Sequence, residues 1–373
     1  MWQRNAPPSP QPQWDDESRP GNIEEVDILQ LACPVPIGEP GKITLAHGSG
    51  GKLTGDLIRQ VILPAFRNPL LDKLEDQAVF AMAGGRIAFT TDSFVVSPLF
   101  FPGGDIGTLA VNGTVNDLAM GGATPLYLSA AFIIEEGFAI ADLERVVASM
   151  QRAASAAEVA IVTGDTKVVE KGHGDGIYIN TAGVGLVPPG VEISASRARP
   201  GDKVLLSGFM AQHGMAIMAR REGLDFEVEL ESDTAALHTL VQAMLRASSG
   251  IQVLRDPTRG GVASTLNEIA QASGVSIELD EESLPLQLEV EGLCEILGLD
   301  PLYVANDGKL IAIVPAAETD AVLEAMRAHP LGQHAALIGE VGDGPAGMVY
   351  LRTCVGGTRM VDMPVGDQLP RIC

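Results

Sequence analysis

Residues 126–163 read LYLSAAFIIEEGFAIADLERVVASMQRAASAAEVAIVT, and three segments separate within them. Residues 126–134 form an apolar run suited to a strand. Residues 143–157 follow with the spacing of an amphipathic helix, and residues 159–163 give a second apolar strand. Strand, helix and strand in succession place mixed α/β layers in this half of the chain.

The same alternation extends outward. Upstream, residues 53–66 carry Leu53, Leu57 and Val61 at helical spacing and end near Pro64. Strands at 78–82 and 87–91 flank Gly84-Gly85, a hairpin turn that accepts positive φ. A Gly-rich helix covers 106–120. Downstream comes a strand at 176–185, then Pro188-Pro189-Gly190 and Arg199-Pro200-Gly201-Asp202 as a linker. Beyond it a strand is expected at 204–207 and helices at 234–247 and 262–272. Strands at 309–314 and 336–341 then flank a helix at 318–328. The expected organisation is a Pro-rich disordered leader (1–40), two α+β domains (41–195 and 196–352) and a C-terminal arm (353–373), irregular from Met363.

Of the 373 residues, 25 are Lys or Arg and 48 are Asp or Glu, a net charge of −23. That excess excludes non-specific binding to nucleic acid or to an anionic membrane, both of which need a cationic face. The uncharged stretch 118–134 is interrupted by Gly121, Gly122 and Pro125 and is too short to span a bilayer. The N-terminus lacks the apolar core of a signal peptide, and the four cysteines form no CxxC pair, so a cytoplasmic protein is expected. Both tryptophans, Trp2 and Trp14, lie in the leader.

The chemistry is written in acids placed at, or within a turn of, apolar strands: Glu75-Asp76, Asp92, Asn116-Asp117 and Asp165. Strand ends gather on one sheet edge, where carboxylates repel unless a cation intervenes. Mg²⁺ takes oxygen ligands and bridges carboxylates to phosphates. Asp76, Asp92, Asp117 and Asp165 are the expected ligands, and Lys167 supplies direct positive charge for a phosphate. The loop His47-Gly48-Ser49-Gly50-Gly51-Lys52 suits backbone approach to a phosphate through Gly50 and Gly51. A second such turn is Asp256-Pro257-Thr258-Arg259-Gly260-Gly261, where Arg259 is either an ion-pair partner or a phosphate clamp. Glu268 follows on the next helix, and His173 sits in a loop. Cys294 and Cys354 read as small packing residues. Cys373, the last residue, is a poor autonomous nucleophile but a good attachment point on a tether.

Together these segments resemble the PurM-like ATP-binding superfamily and, within it, the HypE family of hydrogenase maturation factors. The carriers are residues 45–51, Glu75-Asp76-Gln77-Ala78, Thr91-Asp92-Ser93-Phe94, residues 98–104, IVTGDTKVV at 161–169, residues 256–261 and Pro370-Arg371-Ile372-Cys373. The related selenophosphate synthetases carry a reactive Cys or selenocysteine in the Gly-rich loop, where Ser49 stands here. The resemblance implies a two-domain PurM-like fold with a flexible C-terminal tail, dimerising through its N-terminal domains with ATP near the subunit interface. It implies that a HypF-type carbamoyltransferase loads a carbamoyl group onto Cys373, that Mg-ATP drives its dehydration to a thiocyanate, and that the cyanide passes to iron on a HypC–HypD complex. By family position, Glu268 is the expected base, with His173 second. The alternatives are a PurM-like kinase or synthetase acting on a free small molecule, and a non-catalytic nucleotide-binding scaffold.

Overall fold

Small and β-branched side chains at period two build the first half. The computed structural model describes residues 43–48, 50–82, 85–223, 230–366, 369 and 371–373. The expected leader lies outside the described residues, and Ile43–Cys373 form one unit. Lys52–Leu57 (α1) continues through a π-helical turn, Ile58–Ile62, into Leu63–Phe66 (α2). Ala78–Met82 (β1) and Gly85–Phe94 (β2) form the expected antiparallel hairpin. Along β2, Ala88, Thr90 and Phe94 are buried while Phe89, Thr91 and Ser93 are exposed. Phe100–Phe101 (β3) and Gly104–Asp105 (β4) make a small ribbon that leads into Ile106–Met120 (α3). Asp105 caps α3, accepting from the amides of Gly107 and Thr108.

The segment 126–163 resolves into Thr124–Glu135 (β5), Ile140–Ala156 (α4) and Ala160–Val169 (β6), with β5 and β6 parallel across the α4 connection. Ile177–Val187 (β7) completes a sheet ordered β1-β2-β7-β5-β6, antiparallel elsewhere. The strand around Asp165 runs on through Lys167 to Val169, longer than expected. Those two residues therefore lie inside an edge strand rather than beyond its end.

The second sheet, order β14-β13-β10-β12-β8-β11-β9, comprises Lys203–Leu206 (β8), Val253–Arg255 (β9), Ser276–Asp280 (β10), Ile311–Val314 (β11), Ala336–Gly342 (β12), Met348–Arg352 (β13) and Thr358–Met360 (β14). Its helices are Gln212–Glu222 (α5), His238–Ala247 (α6), Gly261–Ser273 (α7), Leu288–Leu297 (α8) and Thr319–Arg327 (α9). Sequence spacing missed β9, β10, β13, β14, α5 and α8. The expected C-terminal arm, 353–373, still holds strand β14 paired with β13, and its strand-free part begins after Met360, close to the expected Met363.

Helix α3 explains why the halves stay together. Thirteen of its fifteen residues are buried, and it has no polar face to give to solvent. Leu109 and Val111 pack with the first sheet, while Ala119 and Met120 join Leu240, Leu310 and Ala312 of the second half.

Candidate active site

One cavity of about 710 Å³ collects most of the residues singled out by sequence. Asp76 precedes β1, Asp92 sits within β2 and Asp117 rides on α3, which packs across β2. From the second half come Asp256, directly after β9, and Asp307, in the loop before β11. Glu268 enters from α7, and Gly50, Gly51 and Cys373 complete that wall.

The acids are underpaired. Arg255 Nη2 donates to Glu268 Oε2 at 2.8 Å. Its Nε lies 2.8 Å from Asp76 Oδ2, an ion-pair contact without hydrogen-bond alignment. Thr90 Oγ1 is 2.7 Å from Asp117 Oδ2 and 2.8 Å from the Asp76 carbonyl oxygen. A hydroxyl has one proton to give, so both contacts are hydrogen bonds only while Asp117 is itself protonated. Burial, reinforced by Asp256, Asp92 and Asp76, indeed pushes the Asp117 carboxyl well above its usual range. Burial does the same to Asp256, with Asp76 adding to it. Asp76 rises to about 6, burial outweighing Arg255, and Asp307 also rises to about 6, mainly from burial. Asp92 and Glu268 are raised by burial too, Arg259 opposing at the first and Arg255 at the second. Burial opposes charge on Arg255, but Asp76, Glu268, Asp256 and Glu75 outweigh it and strengthen the guanidinium's hold on its proton.

Among the described residues no three of His, Cys, Asp or Glu form a ready-made metal cage. Mg²⁺ does not require one: it binds through one or two carboxylates together with phosphate and water. Asp76 Oδ2 and Asp307 Oδ2 are buried without a hydrogen-bond partner, as is Ser264 Oγ in the second turn of α7. Such a donor set fits a magnesium-nucleotide.

The C-terminus lies in this wall. Val95 N donates to the main-chain oxygen of Cys373 (3.3 Å) and Ser97 N to the carbonyl oxygen of Arg371 (3.1 Å). Ile372 is buried in the core between the halves. Burial pushes the Cys373 thiol up to about 12, Arg259 opposing and Asp92, Asp307 and Asp256 adding to it. The thiol is thus protonated, in keeping with a carrier rather than a free nucleophile.

Four expected residues stand elsewhere. Asn116 is fully buried but structural: its Nδ2 donates to the carbonyls of Ala235 and Asp307, and its Oδ1 accepts from Leu237 N. Asp165 and Lys167 pair with each other on the exposed strand β6 (2.6 Å). His173 is exposed in the loop between β6 and β7, whose Asp175 pairs with Arg371. The Gly-rich loop also has a second task, since a Cβ on Gly51 would stand 2.3 Å from the Pro364 carbonyl oxygen. Lys52 N donates to that oxygen at 2.9 Å, so glycine here lets the loop touch the C-terminal segment. Sequence reasoning did not single out Arg255, Asp256 or Asp307 as site residues. The available signal was charge at the ends of the short apolar runs 253–254 and 310–314.

Two mixed sheets meeting at an acid-lined cleft define the class. Residues 74–187 match the N-terminal domain of AIR synthase related proteins and residues 199–352 their C-terminal domain. The carbamoyl dehydratase HypE of Cupriavidus necator is 58% identical over 89% of this chain and 95% of its own. A crystal structure of a HypE–HypF complex aligns at TM-score 0.79 and 50% identity, over 83% of this chain and 99% of that one. A structure of the maturation protein HypE in complex with ATP aligns at TM-score 0.75 and 49% identity, over 88% and 100%. The chain belongs to the HypE family of carbamoyl dehydratases. Among the described residues no helix is long and apolar enough to cross a membrane.

Proposed function

We propose that this enzyme dehydrates a carbamoyl group carried on its own Cys373 thiol to a thiocyanate, using Mg-ATP, and so provides the cyanide ligand for hydrogenase iron. The observation that carries this reading is that the last residue of the chain lines the same cavity as Asp76, Asp92, Asp117 and Glu268. A thiol placed there brings any group it carries within reach of those acids.

The carboxamide oxygen is a poor leaving group. Accepting the γ-phosphoryl turns it into departing phosphate, and loss of both N–H protons then leaves S–C≡N. Phosphoryl transfer depends chiefly on positioning and charge neutralisation. Asp76, Asp92 and Asp117 would hold Mg²⁺, which when bound offsets phosphate charge. Ser264, at the N-terminal end of α7, and Arg259 favour an anionic ligand. Glu268, its pKa raised by burial and its orientation fixed by Arg255, is the base that takes the amide protons.

The thirteen residues from Val361 to Cys373 at ~3.3 Å each reach about 43 Å, enough to visit a HypF-type carbamoyltransferase and, later, a HypC–HypD acceptor. A second copy of the chain completes the site. Strand β6 is a solvent-exposed edge with Ile161, Val162 and Val168 uncovered, and Phe89, Tyr127, Ile133 and Leu186 are exposed on the same sheet. Apolar surface beside an open edge is suited to pairing. Homodimerisation there would carry Asp165, Lys167 and His173 toward the partner's cavity.

Mass spectrometry tests the reaction. Carbamoylated protein given Mg-ATP should lose one water at the C-terminal peptide. A carbamoyl mass that persists through nucleotide turnover would sink the reading.

A further inference from the structure

A tether that must leave and return needs a hold of adjustable strength, and the structure places an unassigned side chain there. His213, on α5, is fully buried. Its Nε2 lies 2.8 Å from the carbonyl oxygen of Ile372 and its Nδ1 lies 2.8 Å from Ser232 Oγ. A carbonyl can only accept, so Nε2 carries a proton, and in the neutral ring Nδ1 accepts from the serine hydroxyl. Ser232 is set up for this: its Oγ accepts from Thr234 N (3.2 Å), and its own amide donates to the Pro102 carbonyl. Phe101 meets the imidazole edge-on, with ring centroids 5.7 Å apart, which fixes the ring plane.

We infer that His213 is the latch that seats the C-terminal tail, a positioning residue acting on the Ile372 carbonyl and through it on the Cys373 thiol. The other holds are less committed to the docked state. Val95 and Ser97 present backbone amides on a loop, and Arg221 Nη2, which donates to the Arg371 carbonyl (3.0 Å), keeps the Ser97 carbonyl as a second acceptor at 2.6 Å. His213 Nε2 is buried, and among the described residues its acceptor is the Ile372 carbonyl of the tail. When the tail departs, that donor loses its carbonyl partner, so the contact weights the docked state by the net worth of one buried hydrogen bond. It reads backbone, leaving the terminal side chain free to carry a group.

The inference rests on the reading that the tail shuttles, but its test does not use the reaction. Cys373 is half-buried while the tail is docked, so iodoacetamide alkylates it slowly there, and an increase in its rate reports a larger population with the tail released. Exposed Cys354 serves as the internal standard and buried Cys294 as the sentinel for unfolding. In full-length ligand-free protein, His213→Phe keeps the aromatic bulk and removes the donor. It should speed Cys373 alkylation about tenfold relative to Cys354 while Cys294 stays silent. His213→Gln, which retains an N–H donor, should return most of the protection. An unchanged Cys373 rate in His213→Phe overturns the latch. Should Cys294 react as well, the decision passes to Ser232→Ala, which frees the tautomer without emptying the core. A severalfold faster Cys373 with silent Cys294 then supports the latch, and no change overturns it. Failure of the wild-type chain to dehydrate its carbamoyl group would break the functional reading while leaving this measurement standing.

Discussion

Asp117 and Asp165 are the same residue type in opposite situations. Asp117 lines the cavity under β2 among Asp76, Asp92 and Asp256, and burial drives its carboxyl well above the usual range. Asp165 stands in solvent on β6, where a hydrogen bond from Lys167 holds its pKa below the usual value. An exposed pair of this kind is at rest and contributes little to stability. The cavity is not at rest: its described lining carries eight carboxylates against four Lys and Arg, so it must hold protons or receive a cation. The inner cluster is a site waiting for charge. The outer pair gains meaning only if another molecule covers it.

The sharpest break of that contrast is at the carrier. Cys373→Ser should abolish thiocyanate formation completely, because no thiol remains to load, while leaving ATP affinity unchanged in calorimetric titration. Loss of nucleotide binding in this variant would make the terminus part of the wall rather than cargo. Next in size is Asp117→Asn, which keeps the shape of a protonated carboxyl but has no proton to give up when a cation arrives. Single-turnover dehydration should fall about 10²- to 10³-fold, the scale of losing one preorganised electrostatic partner. Above neutral pH the ligand-free protein should melt at a somewhat higher temperature, since the amide never has to ionise in a buried place.

How far such residues were legible follows from the physics of each. Asp76, Asp92 and Asp117 could be read because they interrupt apolar runs, and the hairpin and α3 that carry them are local structures. Helix α3 matched its expected span, 106–120, although its faces are nearly alike, since Asp105 and Gly121 bound it clearly. Asp307 escaped, and Asp256 was seen only as the start of a turn, because β9 is three residues long and β11 four, too short for a period to declare itself. Asn116 looked like a ligand by adjacency to Asp117, yet neighbours on a helix point about 100° apart, and its amide is spent on three backbone groups. The docking of the C-terminus through Ile372 and His213 joins residues 159 positions apart, a contact no local pattern encodes.

The waiting charge can also be read as pH dependence. The Asp307 carboxyl titrates at about 6 in the folded chain against 3.8 in the reference state, mainly because it is buried. Between those values the native state holds the extra proton, so stability falls as pH rises from about 4 to 6 and is flat in this term beyond. The shift corresponds to about 3 kcal/mol at most. Asp307→Asn should therefore match the wild type at pH 4 and exceed it at pH 7 in denaturant midpoint, without ligand. Mg-ATP should close part of the gap at pH 7 by stabilising the wild type. A variant that loses the same stability at both pH values would mean that Asp307 is held by contacts rather than strained by charge.

The smallest effect decides what the outer pair is for. If β6 remains solvent-exposed in the working enzyme, Lys167→Ala changes nothing beyond a surface pair and both turnover and melting temperature stay put. If a second copy covers β6 and Lys167 reaches the neighbouring cavity, turnover falls about tenfold, the weight of one charge-assisted hydrogen bond, while melting is still unaffected. Mixing separates a partner's lysine from a lysine acting within its own chain. Subunits bearing Asp117→Asn have a dead cavity but an intact Lys167, and subunits bearing Lys167→Ala have the reverse. In a hybrid dimer the cavity of the Lys167→Ala subunit faces the Lys167 of its Asp117→Asn partner, so one site of the two is whole and activity rises above that of either parent. A lysine serving its own chain leaves the hybrid at the average of the parents. Val162→Glu, placing a charge at an exposed apolar position of the edge, should remove the gain by preventing the pairing.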